Sequence, residues 1–204
     1  MPRISPGDIV TRHELVGIHG ERVRIPDPER LVHFQFRRYA GCPVCNLHLR
    51  SIAQRHSEII AAGIREVVVF HSKRELMLEF QAALPFAAIA DPERLLYREF
   101  EVGTMSPWLA FHPRSWRAAA RALTQAPSLR GAMGKGEEHM GHPADFLVGS
   151  GGEVLAVNYG EFIDDHWSVD DLLEMAAQGE AIASRSEDSK AFSPARTPTG
   201  RPGG

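Results

Sequence analysis

With 204 residues, 43% of them hydrophobic and 24% charged, the chain has the make-up of one globular domain with length to spare. A net charge of -3 offers no basic surface to nucleic acid or to an anionic membrane. No stretch approaches the roughly 20 apolar residues of a membrane helix, and two cysteines are too few for a disulfide scaffold. The opening Met1-Pro2-Arg3-Ile4-Ser5-Pro6-Gly7-Asp8 lacks the apolar centre of a secretory signal, so a cytoplasmic protein is expected.

Ser5 to Asp8 reads as a turn. Glu14-Leu15-Val16 and Glu21-Arg22-Val23-Arg24-Ile25 flank Gly17-Ile18-His19-Gly20, which predicts a β-hairpin closed by Pro26-Asp27-Pro28. Leu31 to Phe36 is read as a near-continuous apolar strand covered on both faces. A helix is expected to begin within Gly41-Cys42-Pro43-Val44-Cys45 and to run from Asn46 to Ala62, with Gly63 as its stop. Glu66 to Phe70 is a β-branched run and reads as a buried parallel strand. Ser72 and Glu75 fit a capping box opening a second helix through about Phe80. Pro85 to Ala90 reads as a third core strand, and Asp91-Pro92 as the start of a helix reaching about Phe100.

From Gly103 to Gly141 the pattern is less regular, with one helical run near Arg114 to Gln125 and a Gly-rich segment, and it reads as an insertion beside the core. Ala144 to Val148 and Glu153 to Val157 around Gly149-Ser150-Gly151-Gly152 predict a last β-hairpin, and Ser168 caps a helix from Val169 to about Ala177. One domain over 1–183 is therefore expected, containing the insertion at about 103–141. The polar stretch 184–204 has almost no apolar residues and is expected to be a disordered tail. Strand and helix alternation followed by an antiparallel pair argues an α/β fold, a central mixed sheet flanked by helices.

Both cysteines fall on one C-x-x-C spacing ahead of a helix, the pattern of a redox dithiol. A thiolate is the reactive form, and a helix N-terminus lowers a thiol's pKa through its unpaired N–H groups and dipole. Pro43 suits the first helical position, where its missing N–H costs nothing and its fixed φ pre-organises the turn. Cys42 is expected at the N-cap as the more exposed and more acidic nucleophile, and Cys45 inside the first turn as the more buried resolving thiol. A metal site would need further ligands from His33, His48, His71 or His139, but no compact His pair accompanies the motif, so no metal and no prosthetic group are expected.

Around the motif, Arg37 and Arg38 are candidates to stabilise a thiolate or to bind the negative charge developing on a peroxide, or are solvated strand-end residues. Tyr39 donates a hydrogen bond to substrate or packs. Pro143, directly before a core strand, is either a cis proline set against the disulfide, as in redox folds of this kind, or an ordinary strand-entry proline. His139 and His142 read as loop bystanders, and Trp108, Trp116 and Trp167 as packing residues.

The opening Ser5-Pro6-Gly7-Asp8, the run Arg38 to Cys45, Ile89-Ala90-Asp91-Pro92-Glu93 and His142-Pro143-Ala144-Asp145-Phe146-Leu147-Val148 carry a resemblance. So does the closing Asp164-Asp165-His166-Trp167-Ser168-Val169-Asp170. In these residues the chain resembles AhpC/TSA-type peroxiredoxin-like proteins of the thioredoxin-fold superfamily, from Ser5 to about Ala177. The resemblance implies a thioredoxin-like fold with an N-terminal hairpin. It also implies thiol-dependent reduction of a peroxide or disulfide, an external dithiol donor such as thioredoxin, and an antioxidant role; a homodimer is allowed. Two positions depart from it. Tyr39 stands where peroxiredoxins carry Thr or Ser, and Pro143 stands in a region where they carry Arg. The alternative is a redox-responsive binding or sensor protein whose disulfide toggles a partner surface on the insertion.

Overall fold

The computed structural model of the chain describes residues 3–104 and 141–178, with positions 117, 120, 121 and 124 between them. Its centre is a five-stranded mixed sheet in the order β5-β4-β3-β6-β7. The strands are β3 (Leu31–Arg37), β4 (Ile64–Phe70), β5 (Ala87–Ala90), β6 (Ala144–Val148) and β7 (Val154–Tyr159). β3 and β4 pair in parallel, as do β4 and β5, whereas β6 runs antiparallel to both β3 and β7. This is the expected thioredoxin-like arrangement. The predicted N-terminal hairpin is present as a separate pair, β1 (His13–Val16) and β2 (Arg22–Ile25), with Gly20 turning at φ 90°.

One face of the sheet is an aromatic core. Val32, Phe34 and Phe36 alternate along β3 onto this face, where they meet Phe146 of β6 and Tyr97 and Phe100 from in and just after α4 (Leu95–Glu99). The Phe34, Phe36, Phe100 and Phe146 rings pack with centroids 4.9–5.7 Å apart, mostly edge to face. Burying rings of this size contributes about 1.5–3 kcal/mol each.

The opposite face is covered by α1 (Pro43–Gln54), α2 (His56–Ala61), α3 (Arg74–Gln81) and α5 (169–178). Ile52, Ile59 and Ile64 bury there against Val169, Leu172 and Ala176. At the head of α5, Ser168 and Asp171 form the expected cap: the Asp171 N–H donates to the Ser168 hydroxyl at 3.2 Å, and the Asp171 carboxylate accepts the Ser168 N–H at 2.7 Å.

Four local expectations need correction. The helix after the motif is not continuous to Ala62. It breaks at Arg55 (φ -109°, ψ 17°), whose guanidinium is drawn to Glu58 and to Asp170 of α5. Ser72 and Glu75 form no capping box, because α3 begins after Lys73 without a side-chain cap and the Ser72 hydroxyl is used elsewhere. Pro92 does not open the next helix. Asp91 instead accepts the N–H groups of Leu95, Leu96 and Tyr97, and Arg94 sits left-handed at φ 55°, so α4 starts three residues later than Pro92.

The fourth correction concerns β3, which is covered on both faces as expected but is not apolar on both. His33, Gln35 and Arg37 alternate with the aromatic residues and are fully buried on the helical side. The helix expected at Arg114 to Gln125 lies mostly outside the described residues, although positions 117, 120, 121 and 124 within it are helical. The Gly-rich segment, His139, Trp108, Trp116 and the tail at 184–204 also lie outside them.

Candidate active site

The motif sits where β3 ends and α1 begins. Cys42 is the N-cap of α1, with extended dihedrals (φ -61°, ψ 114°), and Pro43 takes the first helical position. The Cys42 sulfur accepts the Cys45 N–H at 3.3 Å, which is a cap bond made by a thiol. The two sulfurs lie 2.7 Å apart and are not joined. The loop before them is tied down at Ala40, whose N–H donates to the Ser72 hydroxyl at 2.8 Å and whose carbonyl accepts from Gln81 at 2.6 Å. Gln81 also donates to Asn46 of α1 at 2.7 Å, so α3 holds both sides of the motif.

The expected difference in exposure is absent. Cys42 and Cys45 are each 1% exposed and share a cluster with Tyr39, Leu49, Val68, Phe70 and Met77. The expected difference in acidity runs the other way. Burial opposes charge on both sulfurs. At Cys45 it is outweighed by the hydrogen bond with Cys42, the Arg38 charge, the Arg38 backbone N–H and the Arg37 charge, which bring this thiol down to about 6. At Cys42 burial is reinforced by the hydrogen bond to Cys45 and by its charge, so this proton is held well above the usual range. The two sulfurs titrate as a pair: Arg38 and the Cys45 N–H favour charge on Cys42 too, but burial and a charged Cys45 outweigh them.

Arg38 is partly buried, with its guanidinium 5.6 Å over the Tyr39 ring and its charge facing both sulfurs. Tyr39 is 4% exposed and packs within the cysteine cluster. Pro143 lies at the same end of the sheet, because Ala144 pairs with Phe36 of β3. Its peptide bond is trans: among the described residues the cis bond is Ile25–Pro26. The cis reading of Pro143 is therefore corrected to the strand-entry one. Packing explains the position. Its carbonyl accepts the Gly160 N–H at 3.0 Å, and its ring lies so close to Gly160 that a Cβ there would fall 2.7 Å from Pro143 Cγ.

Beneath α1, the polar face of β3 builds a buried charge network that the sequence reading missed. Arg37 Nη2 donates to Asp145 at 2.6 Å, to Gln35 at 2.8 Å and towards His48 of α1 at 3.1 Å. His33 bridges two carboxylates, Glu66 at 2.8 Å and Asp145 at 3.0 Å, with no exposure at any of the three side chains. Two cations thus face two anions. Burial disfavours the charge on His33, but Glu66 and Asp145 outweigh it and raise the imidazole to about 9. Burial likewise opposes the Asp145 charge, yet Arg37 and His33 hold its carboxyl well below the usual range.

Arg37 is consequently not a solvated strand-end residue. His48 and His166 pack at 3.9 Å on the far side of Arg37, both kept neutral, His166 at about 3, by burial and by neighbouring positive charge. With Val44, Leu47, Ser51 and Asp164 they line a cavity of about 370 Å³ along α1.

The signal for this network is the polar–apolar alternation of Val32-His33-Phe34-Gln35-Phe36-Arg37. Of the histidines considered as metal ligands, His33 and His48 belong to the network and His71 packs against the Tyr97 ring. Among the described residues no group of three or more His, Cys, Asp or Glu side chains is arranged to hold a metal ion. Trp167 packs against His33, as expected of it.

The model of the family described as AhpC/TSA antioxidant enzyme matches residues 51–161, a stretch that starts after the two cysteines. No curated protein matches the chain. Among solved structures, Peroxidoxin BcpB from Mycobacterium tuberculosis is similar at 16% identity and a TM-score of 0.63, covering 86% of this chain and 98% of that one. AhpC from Enterococcus faecalis is similar at 13% identity and a TM-score of 0.63, covering 89% and 95%. A protein described as a thiol:disulfide interchange protein, DsbE, from Chlorobium tepidum is similar at 20% identity and a TM-score of 0.54, covering 87% and 97%. At these identities the likenesses establish the fold. The family match spans more than half of the residues, and on it the chain belongs to the AhpC/TSA antioxidant enzyme family.

Proposed function

We propose that the protein is a dithiol oxidoreductase in which Cys42 attacks a disulfide or peroxide and Cys45 resolves the product. The observation that carries this reading is the pair of unjoined sulfurs 2.7 Å apart at a helix N-terminus, with the charge of Arg38 facing both. The charge of Arg38 favours the thiolate on either sulfur, and Cys42 is the one at the helix tip.

With a disulfide substrate, the Cys42 thiolate forms a mixed disulfide and expels one substrate thiolate, which takes up a proton. Cys45 then attacks the Cys42 sulfur, closes the internal disulfide and releases the second thiolate. With a peroxide, the S–O bond of a sulfenic acid forms as the O–O bond breaks, and the departing oxygen takes up a proton and leaves as an alcohol or water. Cys45 then displaces hydroxide, which leaves as water. An external dithiol, of the thioredoxin kind, returns both electrons. Tyr39 is packed into the cysteine cluster under Arg38, which favours disulfide exchange over peroxide as the main reaction.

Cys42→Ser should abolish turnover, whereas Cys45→Ser should accumulate a mixed disulfide on Cys42, read by mass spectrometry under non-reducing conditions. The reverse pattern would exchange the two roles. Supplying thioredoxin and reductant separates an enzyme, which sustains substrate consumption, from a sensor, which is oxidised once and stops.

A further inference from the structure

The cavity of about 370 Å³ along α1 lies beside the motif. Val44, Leu47, His48 and Ser51 line it from α1 at the i, i+3, i+4 and i+7 positions, so one face of the helix makes a wall that starts two residues after Cys42. Asp164, His166 and Ser168 line it from the segment leading into α5, and Arg121 lines it as well.

The tautomer of His48 follows from its neighbour. A guanidinium only donates, and Arg37 Nη2 lies 3.1 Å from His48 Nε2, so Nε2 is the accepting nitrogen and the proton of the ring sits on Nδ1. Burial, and after it the neighbouring positive charge, keeps the ring neutral. Among the described residues Nδ1–H has no acceptor. It is a strengthened donor, because the Arg37 N–H bonded to one side of the imidazole polarises the N–H on the other.

The walls select the group that fits. Asp164 and Arg121 offset each other in charge and the two imidazoles carry none, so neither an anion nor a cation is preferred. Val44 and Leu47 offer apolar surface, His48 offers a donor, and the Asp164 carboxylate accepts several N–H groups at once. A peptide group supplies the matching acceptor and donor together, without charge. The reach is also right. His48 lies six residues beyond Cys42, about 9 Å along the helix at roughly 1.5 Å per residue. An extended chain covers that distance in about three residues.

We propose that this cavity binds the peptide chain of a disulfide-bearing polypeptide substrate, His48 Nδ1–H donating to a backbone carbonyl within about three residues of the cysteine that Cys42 attacks. This rests on the dithiol reading above, but its binding test needs no turnover.

The experiment titrates the Cys42→Ser/Cys45→Ser protein, nitrogen-15 labelled at histidine, with the capped peptide acetyl-Ala-Ala-S-methylcysteine-Ala-Ala-amide. The His48 ring resonances should move saturably. His48→Phe removes the donor, and Ser51→Phe fills the cavity from an exposed position while leaving the Arg37–His48 contact in place; each should weaken binding about tenfold. Absence of a saturable shift, or unaltered binding in Ser51→Phe, overturns the proposal, and this second variant decides the matter where His48→Phe folds poorly. The reduced, unsubstituted protein is then given the matching peptide disulfide and 2-hydroxyethyl disulfide, which has no amide. A preference for the peptide of about tenfold in kcat/KM, lost in Ser51→Phe, supports the site. Equal kcat/KM for the two overturns it and leaves the oxidoreductase standing. Peptide binding without turnover of either disulfide keeps the site and refutes the enzymatic reading, so the two failures are distinguishable.

Discussion

The buried His33 bridge makes a quantitative demand on stability. In the folded protein the imidazole is held between Glu66 at 2.8 Å and Asp145 at 3.0 Å, and its pKa is raised from 6.5 to about 9. Unfolding releases it to the ordinary value. A group whose folded pKa lies above its unfolded one contributes its full stabilisation below the unfolded value and loses it as pH rises through the folded one. The contribution is therefore intact below pH 6.5, declines between 6.5 and 9, and is absent above. At about 1.4 kcal/mol for each tenfold change in proton affinity, the whole effect is about 3 kcal/mol.

The thiols titrate in the same window with the opposite sign for Cys45, whose folded pKa is depressed, so the measurement belongs in the Cys42→Ser/Cys45→Ser double variant. His48, His56, His142 and His166 are all lowered and exert their effects below 6.5, outside the window. Urea unfolding of the thiol-free protein at intervals from pH 6 to 9.5 should show stability falling steeply between 7 and 9. The His33 ring resonances should titrate near 9. A flat stability profile over that range, or an imidazole titrating near 6.5, would refute the charged-bridge reading.

Two further substitutions probe the walls of the site. Ser72→Ala removes the hydroxyl that accepts the buried Ala40 N–H at 2.8 Å, and should cost about 1–3 kcal/mol in urea unfolding while speeding alkylation of the cysteines as their loop loosens. Gly160→Ala puts a Cβ 2.6 Å from the Asp165 carbonyl oxygen and 2.7 Å from Pro143 Cγ, where backbone and ring cannot retreat. It should lose about 1–3 kcal/mol, whereas Gly103→Ala, with nothing within 4 Å, should be close to neutral in the same assay.

The motif, the start of the helix it opens and the sequence of strands along the chain are legible because each rests on local chemistry: a proline at the first helical turn, β-branched runs, glycines between short alternating segments. What was not legible depends on partners far away in sequence. The polar residues of β3 are overshadowed in the sequence by the aromatic and aliphatic neighbours that dominate the run. Their role became visible only when Glu66, 33 residues from His33, and Asp145, 112 residues from it, arrived on adjacent strands. Ser72 carries the spacing of a helix cap, yet its hydroxyl serves Ala40, because the loop before the cysteines has a buried N–H to satisfy and α3 starts at the surface.

Pro143 follows the same logic. Cis and trans prolines look alike in sequence, and here the contact with Gly160 accounts for the position without a cis bond. The helix alone makes Cys42 the more acidic thiol. The acidity of the pair is governed as much by the charges of Arg37 and Arg38, which face the sulfurs only because β3 ends where α1 begins.

The central claim is that Cys42 and Cys45 form one redox unit. It is tested most directly by the intact mass of the reduced protein after a single equivalent of a small disulfide or peroxide. The expected product has lost two hydrogen atoms, and its peptide map places the new bond between Cys42 and Cys45. Retention of both free thiols, or a stable adduct on one cysteine with no internal bond, would contradict the account.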